Sequence, residues 1–193
     1  MSEAPEALET FEELRRQLKN AIRRVMEIPR EHPHYAAGLI VAAGCEAVGK
    51  ILDSVDGGKR APSEVFVREL IAPYGRVTCA MARDIFDALR NGLAHTFRTK
   101  HILLADGRSL RVVLNWGEGR QHLGLRSHPP GVFLNLPVLR QDFEGMLNRY
   151  RDQLRGDPRA LRRLDERWQR EATRRAESGA QRGWVEFLMG RTP

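Results

Sequence analysis

Residues 78–95 read Thr-Cys-Ala-Met-Ala-Arg-Asp-Ile-Phe-Asp-Ala-Leu-Arg-Asn-Gly-Leu-Ala-His. Met81, Ile85, Phe86 and Leu89 recur at helical spacing and form one apolar stripe. The spacing predicts a helix that starts near Val77 or Thr78 and carries this stripe into a core. The stripe runs straight into the polar run Arg90-Asn91-Gly92-Leu93-Ala94-His95. Gly92 can close a helix because it takes the left-handed conformation without penalty. Alternatively the helix continues to His95.

The chain on either side of this stretch fills in a helical bundle. Upstream, Leu8, Phe11, Leu14, Leu18, Ile22 and Val25 mark an amphipathic helix from about Pro5 to Glu27, ended by Pro29 and Pro33. A second helix is expected from about Tyr35 to Asp53. It is apolar on most faces and rich in Ala and Gly, as a central, closely packed helix should be. Glu46 is its odd member, an acid inside the apolar run. Asp56-Gly57-Gly58 makes a turn. Ser63 is placed to cap a short helix through Leu70, before Pro73 and Gly75 break the chain.

Downstream the period changes to two. Ile102 to Leu104, a turn at Asp106-Gly107, and Leu110, Val112, Leu114 and Trp116 read as a β-hairpin. Shorter strands are expected near 122–126 and 132–136, separated by Pro129-Pro130-Gly131. Pro137 then suits the first turn of a helix bearing Leu139, Phe143, Leu147, Tyr150 and Leu154. Asp157-Pro158 is an N-cap and first-turn pair for another helix, with Leu161, Leu164 and Trp168 on one side and arginines on the other. Trp184, Phe187 and Leu188 fall in a short terminal segment. The expected class is mainly α (α+β). A helical bundle spans 1–98 and a small antiparallel β unit spans 99–136. C-terminal helices over 137–193 pack on the core or on a dimer interface.

Composition narrows the function. With 193 residues and 41% hydrophobic content the chain can bury a sizeable core. No apolar run reaches membrane-span length, because Glu46 cuts the longest one, so no membrane partner is expected. The acidic, polar first residues do not read as a secretory signal. Cys45 and Cys79 both sit in apolar helical patterns and read as buried thiols in a reducing compartment, the cytoplasm. His32-Pro33-His34 and the pair His122 and His128 lack the spacing of a known metal site, so no metal or cofactor is expected.

Charge is unevenly distributed. Residues 1–89 hold 12 basic and 14 acidic side chains, residues 90–150 hold 9 and 4, and residues 151–193 hold 11 and 7. The basic excess therefore begins at Arg90. It reads either as a surface for a polyanion, RNA first, or as solvated arginine-rich helices carrying internal ion pairs.

The segment from Arg90 to His95 is the most specific signal. An Arg followed by His at this range is common by chance in so Arg-rich a chain. Requiring Asn directly after the Arg lowers the chance expectation to about 0.07. Arg90-Asn91 with His95 resembles the signature of the HEPN (higher eukaryotes and prokaryotes nucleotide-binding) superfamily. The upstream bundle, residues 5–98, is similar to its compact helical domain. The β unit and C-terminal helices would be an elaboration.

The resemblance implies a metal-independent endoribonuclease with Arg90, Asn91 and His95 as catalytic residues. In such enzymes the ribose 2′-OH is the nucleophile, and the products end in a 2′,3′-cyclic phosphate and a 5′-OH. His95 would move a proton to or from the reacting oxygens. Arg90 would stabilise the charge of the phosphorane. Asn91 would orient His95 or bind a phosphate, Glu46 would support the site from behind, and Arg98 and Lys100 would hold substrate. The family further implies a homodimer with facing motifs, and a toxin or defence role with an antitoxin or regulatory partner. Phe97 stands where one branch of the family has a tyrosine that a partner enzyme modifies, which puts that control in doubt. The alternative is a non-catalytic HEPN module that binds RNA, a nucleotide or a protein. There Arg90 would pair with Asp84, Asp87 or Glu46, and His95 would cap a helix.

Overall fold

Among the described residues six α-helices and a four-stranded sheet follow the order α1 (Glu6–Glu27), α2 (Pro33–Asp56), α3 (Glu64–Phe66), α4 (Cys79–Thr96), β1 (His101–Leu103), β2 (Ser109–Asn115), β3 (Gly124–Arg126), β4 (Gly131–Asn135), α5 (Leu136–Gly156) and α6 (Pro158–Glu177). A π-helical turn over Val67–Ile71 and a 3-10 turn over Ala72–Tyr74 extend α3. These elements come from a computed structural model that describes residues 6–28, 33–56, 61–96, 101–104, 106–116, 121–127 and 130–177. The class is thus mostly helical with a small mixed sheet.

The apolar α2 is the centre of the bundle. It packs against α1, α4, α5 and α6, and Ala37, Val41, Ala42, Cys45 and Val48 are fully covered. Small residues permit this closeness. A Cβ added at Gly44 would overlap the ring of Phe143 on α5. The segment Tyr35–Leu52 is, by length and composition, apolar enough to cross a membrane, contrary to the expectation that Glu46 interrupts it. More than half of its residues are buried by the bundle itself, which accounts for the same hydropathy. Burial also pushes the Cys45 thiol well above its ordinary range. Cys79 corrects the expectation of two buried thiols: it is exposed on the first turn of α4.

Helix ends follow local chemistry. Pro33 was expected to terminate α1, but it is the first residue of α2, where a missing N–H costs nothing. Thr78 caps α4, its Oγ1 accepting from Met81 N at 3.2 Å. Asp157 caps α6 by accepting from Arg159 N and Ala160 N at 2.9 and 3.0 Å. Asn135, the last residue of β4, caps α5 by accepting from Val138 N at 3.2 Å. Ser63 precedes α3 as expected, but its side chain makes no cap bond.

The hairpin is present: β1 pairs with β2 antiparallel, with Ile102 opposite Leu110. The sheet as a whole is mixed, not antiparallel. Its order is β1-β2-β4-β3, with β2 and β4 parallel and β3 antiparallel to β4. The chain leaves β2, forms β3 at the far edge, and returns to insert β4 between them. Gly131 allows that insertion, since a Cβ there would stand 3.1 Å from the Arg111 carbonyl oxygen. One face of the sheet buries Ile102, Leu110, Val112 and Leu114 in the same core as the helices.

Candidate functional site

Helix α4 does not close at Gly92. It continues through His95 to Thr96, with Gly92 buried within it. The whole polar segment therefore obeys helical register. Positions 91 and 95 lie on one face, about 40° apart around the axis, whereas 90 and 95 are about 140° apart. The His95 side chain lies outside the described residues, as do Phe97, Arg98 and Lys100 in full.

Arg90 is held by Glu46 of α2. Its Nε donates to Glu46 Oε2 at 2.5 Å and its Nη2 to Oε1 at 3.2 Å, a two-point fork. Lys50, one turn along α2, adds a second cation at 3.0 Å from Oε1. Arg90's fork holds the Glu46 carboxyl below the usual carboxylate range, despite its partial burial. The Glu46 side chain is 14% exposed and that of Arg90 is 42% exposed, so the guanidinium is anchored on its inner edge and open on its outer one. Nη1, on the open side, donates to Asn91 Oδ1 at 3.3 Å, leaning the guanidinium toward the face of positions 91 and 95. Of the three carboxylates considered as partners for Arg90, Glu46 is the one that hydrogen-bonds it, while Asp87 adds a weaker electrostatic attraction.

Asn91 lines a cleft of about 220 Å³ between α4 and the edge strand β1, together with Asp84, Asp87, Ala88, His101, Ile102 and Leu103. His101 brings a second imidazole to this cleft. Its Nδ1 lies 2.8 Å from Ser109 Oγ, which fixes the ring and leaves Nε2 without a partner among the described residues. Arg111 is its cross-strand neighbour. Sequence reasoning missed His101 because it falls just before the strand expected from Ile102 and belongs to no motif. The signal available was its place in an edge hairpin only six residues beyond His95.

No family model, curated protein or solved structure matches this chain. Its function must therefore be read from these side chains. Asp84 and Asp87 make one end of the cleft acidic, while the Asn91 end adjoins the Arg90 guanidinium.

His122, weighed earlier as a metal ligand with His128, is instead a core residue; His128 lies outside the described residues. Its Nδ1 accepts from Asn135 N at 3.1 Å, so the neutral ring carries its proton on Nε2, which is buried without an acceptor among the described residues. The ring packs on Tyr74, 4.8 Å between centroids, and Tyr74 Oη donates to Asp142 Oδ2 at 2.6 Å. Burial pushes the imidazole down to about 4. The adjoining Leu123 has φ +58°, a left-handed conformation that strains a side-chain-bearing residue by about 1–2 kcal/mol. Among the described residues no three His, Cys, Asp or Glu side chains form a metal-binding group.

Proposed function

We propose that the chain is a metal-independent endoribonuclease of HEPN type, acting in the cytoplasm as a homodimer. The observation that carries this reading is an anchored yet open arginine beside Asn91, one helical turn before His95. RNA supplies its own nucleophile, so such a site needs only charge stabilisation and proton transfer. The ribose 2′-oxygen attacks the adjacent phosphorus and the P–O5′ bond breaks. The 2′-OH loses a proton and the departing 5′-oxygen gains one. The outer edge of the Arg90 guanidinium neutralises the extra charge on the phosphorane, and Glu46 keeps that fork aimed. Asn91 binds a phosphate oxygen or orients His95.

Two proton transfers call for two groups, or for one imidazole acting twice. His95 is the first group. His101, on the cleft wall with Asn91, is the second within one chain, and a facing motif from a second copy is the other source. Toxin or defence biology, with an antitoxin or other regulatory partner, belongs to the same proposal and follows from the motif's likeness alone.

One observation favours a second reading, a non-catalytic module that binds RNA, a nucleotide or a protein. Glu46 occupies two nitrogens of Arg90, and such a pair also serves as a brace between α2 and α4. Incubation of single-stranded RNA with the purified protein in EDTA separates the two. The nuclease reading expects fragments ending in 2′,3′-cyclic phosphate and 5′-OH, lost in His95→Ala. Intact RNA, or cutting that survives His95→Ala, favours the module. Light scattering at micromolar concentration tests the dimer, and a monomer leaves His101 as the second imidazole among the described residues.

A further inference from the structure

The basic excess of the C-terminal half has a structural location. Arg159, Arg162, Arg163, Arg167 and Arg170 are all exposed on α6, within twelve residues of one helix. Several arginines elsewhere are paired locally, and the exposed ones without an ion pair among the described residues (Arg24, Arg76, Arg83 and Arg111) are scattered singly over different elements. Arg15 and Arg155 share Glu12, Arg140 meets Glu144, and Arg149 meets Glu69. Among the described residues no carboxylate lies within ion-pair distance of the five α6 guanidinia. Arg170 Nε donates only to the uncharged Glu166 carbonyl oxygen at 3.1 Å. Glu166 shares this face, three or four residues from Arg162, Arg163 and Arg170, yet forms no ion pair among the described residues, and Asp165 is turned away, its Oδ1 accepting from Ala7 N at 2.7 Å at the start of α1.

We infer that the outer face of α6 is a docking surface for the RNA sugar-phosphate backbone. The inference deepens the nuclease proposal by naming where substrate is held outside the cleft. From Arg159 to Arg170 the stripe runs about 16 Å, enough to meet several consecutive phosphates. The residues are arginines, whose planar fork fits phosphate oxygens in two-point fashion. An anionic membrane is the poorer fit. Surface-bound helices insert an apolar face, and the apolar face of α6 (Ala160, Leu161, Leu164) is already packed in the core.

Fluorescence anisotropy with a labelled 2′-O-methyl RNA 20-mer tests this, because such RNA lacks the nucleophile and reports binding free of cleavage. The full chain is compared with an R159Q/R162Q/R163Q/R167Q variant and with an R16Q/R151Q control that removes ion-paired, non-α6 arginines. The expected result is a Kd at least tenfold weaker for the α6 variant at 0.1 M salt. The slope of log K against log salt should become shallower by about 0.7 per lost phosphate contact. The control should bind like the wild type. The double variant R162Q/R163Q gives a smaller shift in the same direction and serves if the fourfold variant folds poorly. Equal affinity and slope in wild type and α6 variants overturns the inference. So does a loss of equal size in the control, or binding of phosphatidylserine vesicles in preference to RNA. Binding that depends on α6 with no cutting of natural RNA sinks the nuclease proposal and leaves this one standing. Cutting with α6-independent binding does the reverse.

Discussion

Arg90 and the arginines of α6 are the same side chain in two settings. Arg90 sits at a helix–helix boundary, gripped on one edge by a partly buried carboxylate, so its position is fixed before any ligand arrives. The α6 guanidinia are exposed and have no carboxylate partner among the described residues, and apart from the Arg170 bond to the Glu166 carbonyl oxygen nothing described there fixes them in one geometry. A fixed charge suits chemistry, where a transition state must be met in one geometry. A set of loose charges suits a polymer whose backbone can be met in many registers. The wider contrast is between charges settled inside the fold and charges left to solvent. It predicts where stability, pH dependence and salt dependence reside.

The largest effect expected on the settled side is that of His122. In the unfolded chain its imidazole titrates near pH 6.5, while burial holds the folded value at about 4. Between those values the unfolded state binds more protons. Stability is therefore full above about pH 6.5 and falls as pH drops toward 4, by up to about 3 kcal/mol. Protonation also requires the Nδ1 lone pair that Asn135 N–H occupies. Urea unfolding at pH 7 and pH 4.5 measures the loss, and His122→Gln should remove most of it over this window. A profile unchanged by that variant would assign the pH dependence elsewhere.

Glu69 comes next. It accepts from Arg68 Nε, Arg149 Nη2 and Tyr150 Oη, each at 2.9 Å. These donors hold its carboxyl below the ordinary range although burial opposes ionisation. Burial pushes Tyr150 up to about 12, keeping it a donor. Glu69→Ala strands these donors at the junction of α5 and the π-helical turn, with an expected loss of about 2 kcal/mol in urea unfolding. Glu46→Gln should cost less, about 1 kcal/mol, because the Arg90 head is already half in water. It should also slow RNA cleavage by about tenfold, since the fork loses one charged acceptor. If cleavage is untouched while stability falls, the Glu46–Arg90 pair is only a brace. At the small end, Arg162→Gln on α6 should change stability by less than about 0.5 kcal/mol. A larger loss would mean that this guanidinium is not left to solvent.

Periodicity revealed α1, α2, α4, α5 and α6, because each carries an apolar stripe long enough to need burial. Their ends were less legible. Pro33 is equally a stop for one helix and a start for the next, and only the three-dimensional course of the chain decides. Gly92 is helical because its place against the core is worth more than a left-handed turn. Asn135 went unnoticed as a cap because it also ends a strand. Alternation identified the strands, but nothing in a period of two says which strand lies beside which, so the parallel pairing of β2 and β4 was invisible. In the candidate site, Arg90 and Asn91 stood out through their types and spacing, and Glu46 through being an acid in an apolar run. His101 depends on a contact between α4 and a sheet edge, which sequence does not display.

The most direct test of the two-setting account is a single-turnover cleavage experiment on one natural RNA in EDTA, comparing Arg90→Ala with Arg162→Gln/Arg163→Gln. Arg90→Ala should lower the saturated rate by about 10²–10³-fold with little change in the RNA concentration needed for half-saturation. The α6 variant should leave the saturated rate intact and raise that concentration several-fold. An Arg90→Ala protein that cuts at the wild-type rate would contradict the account.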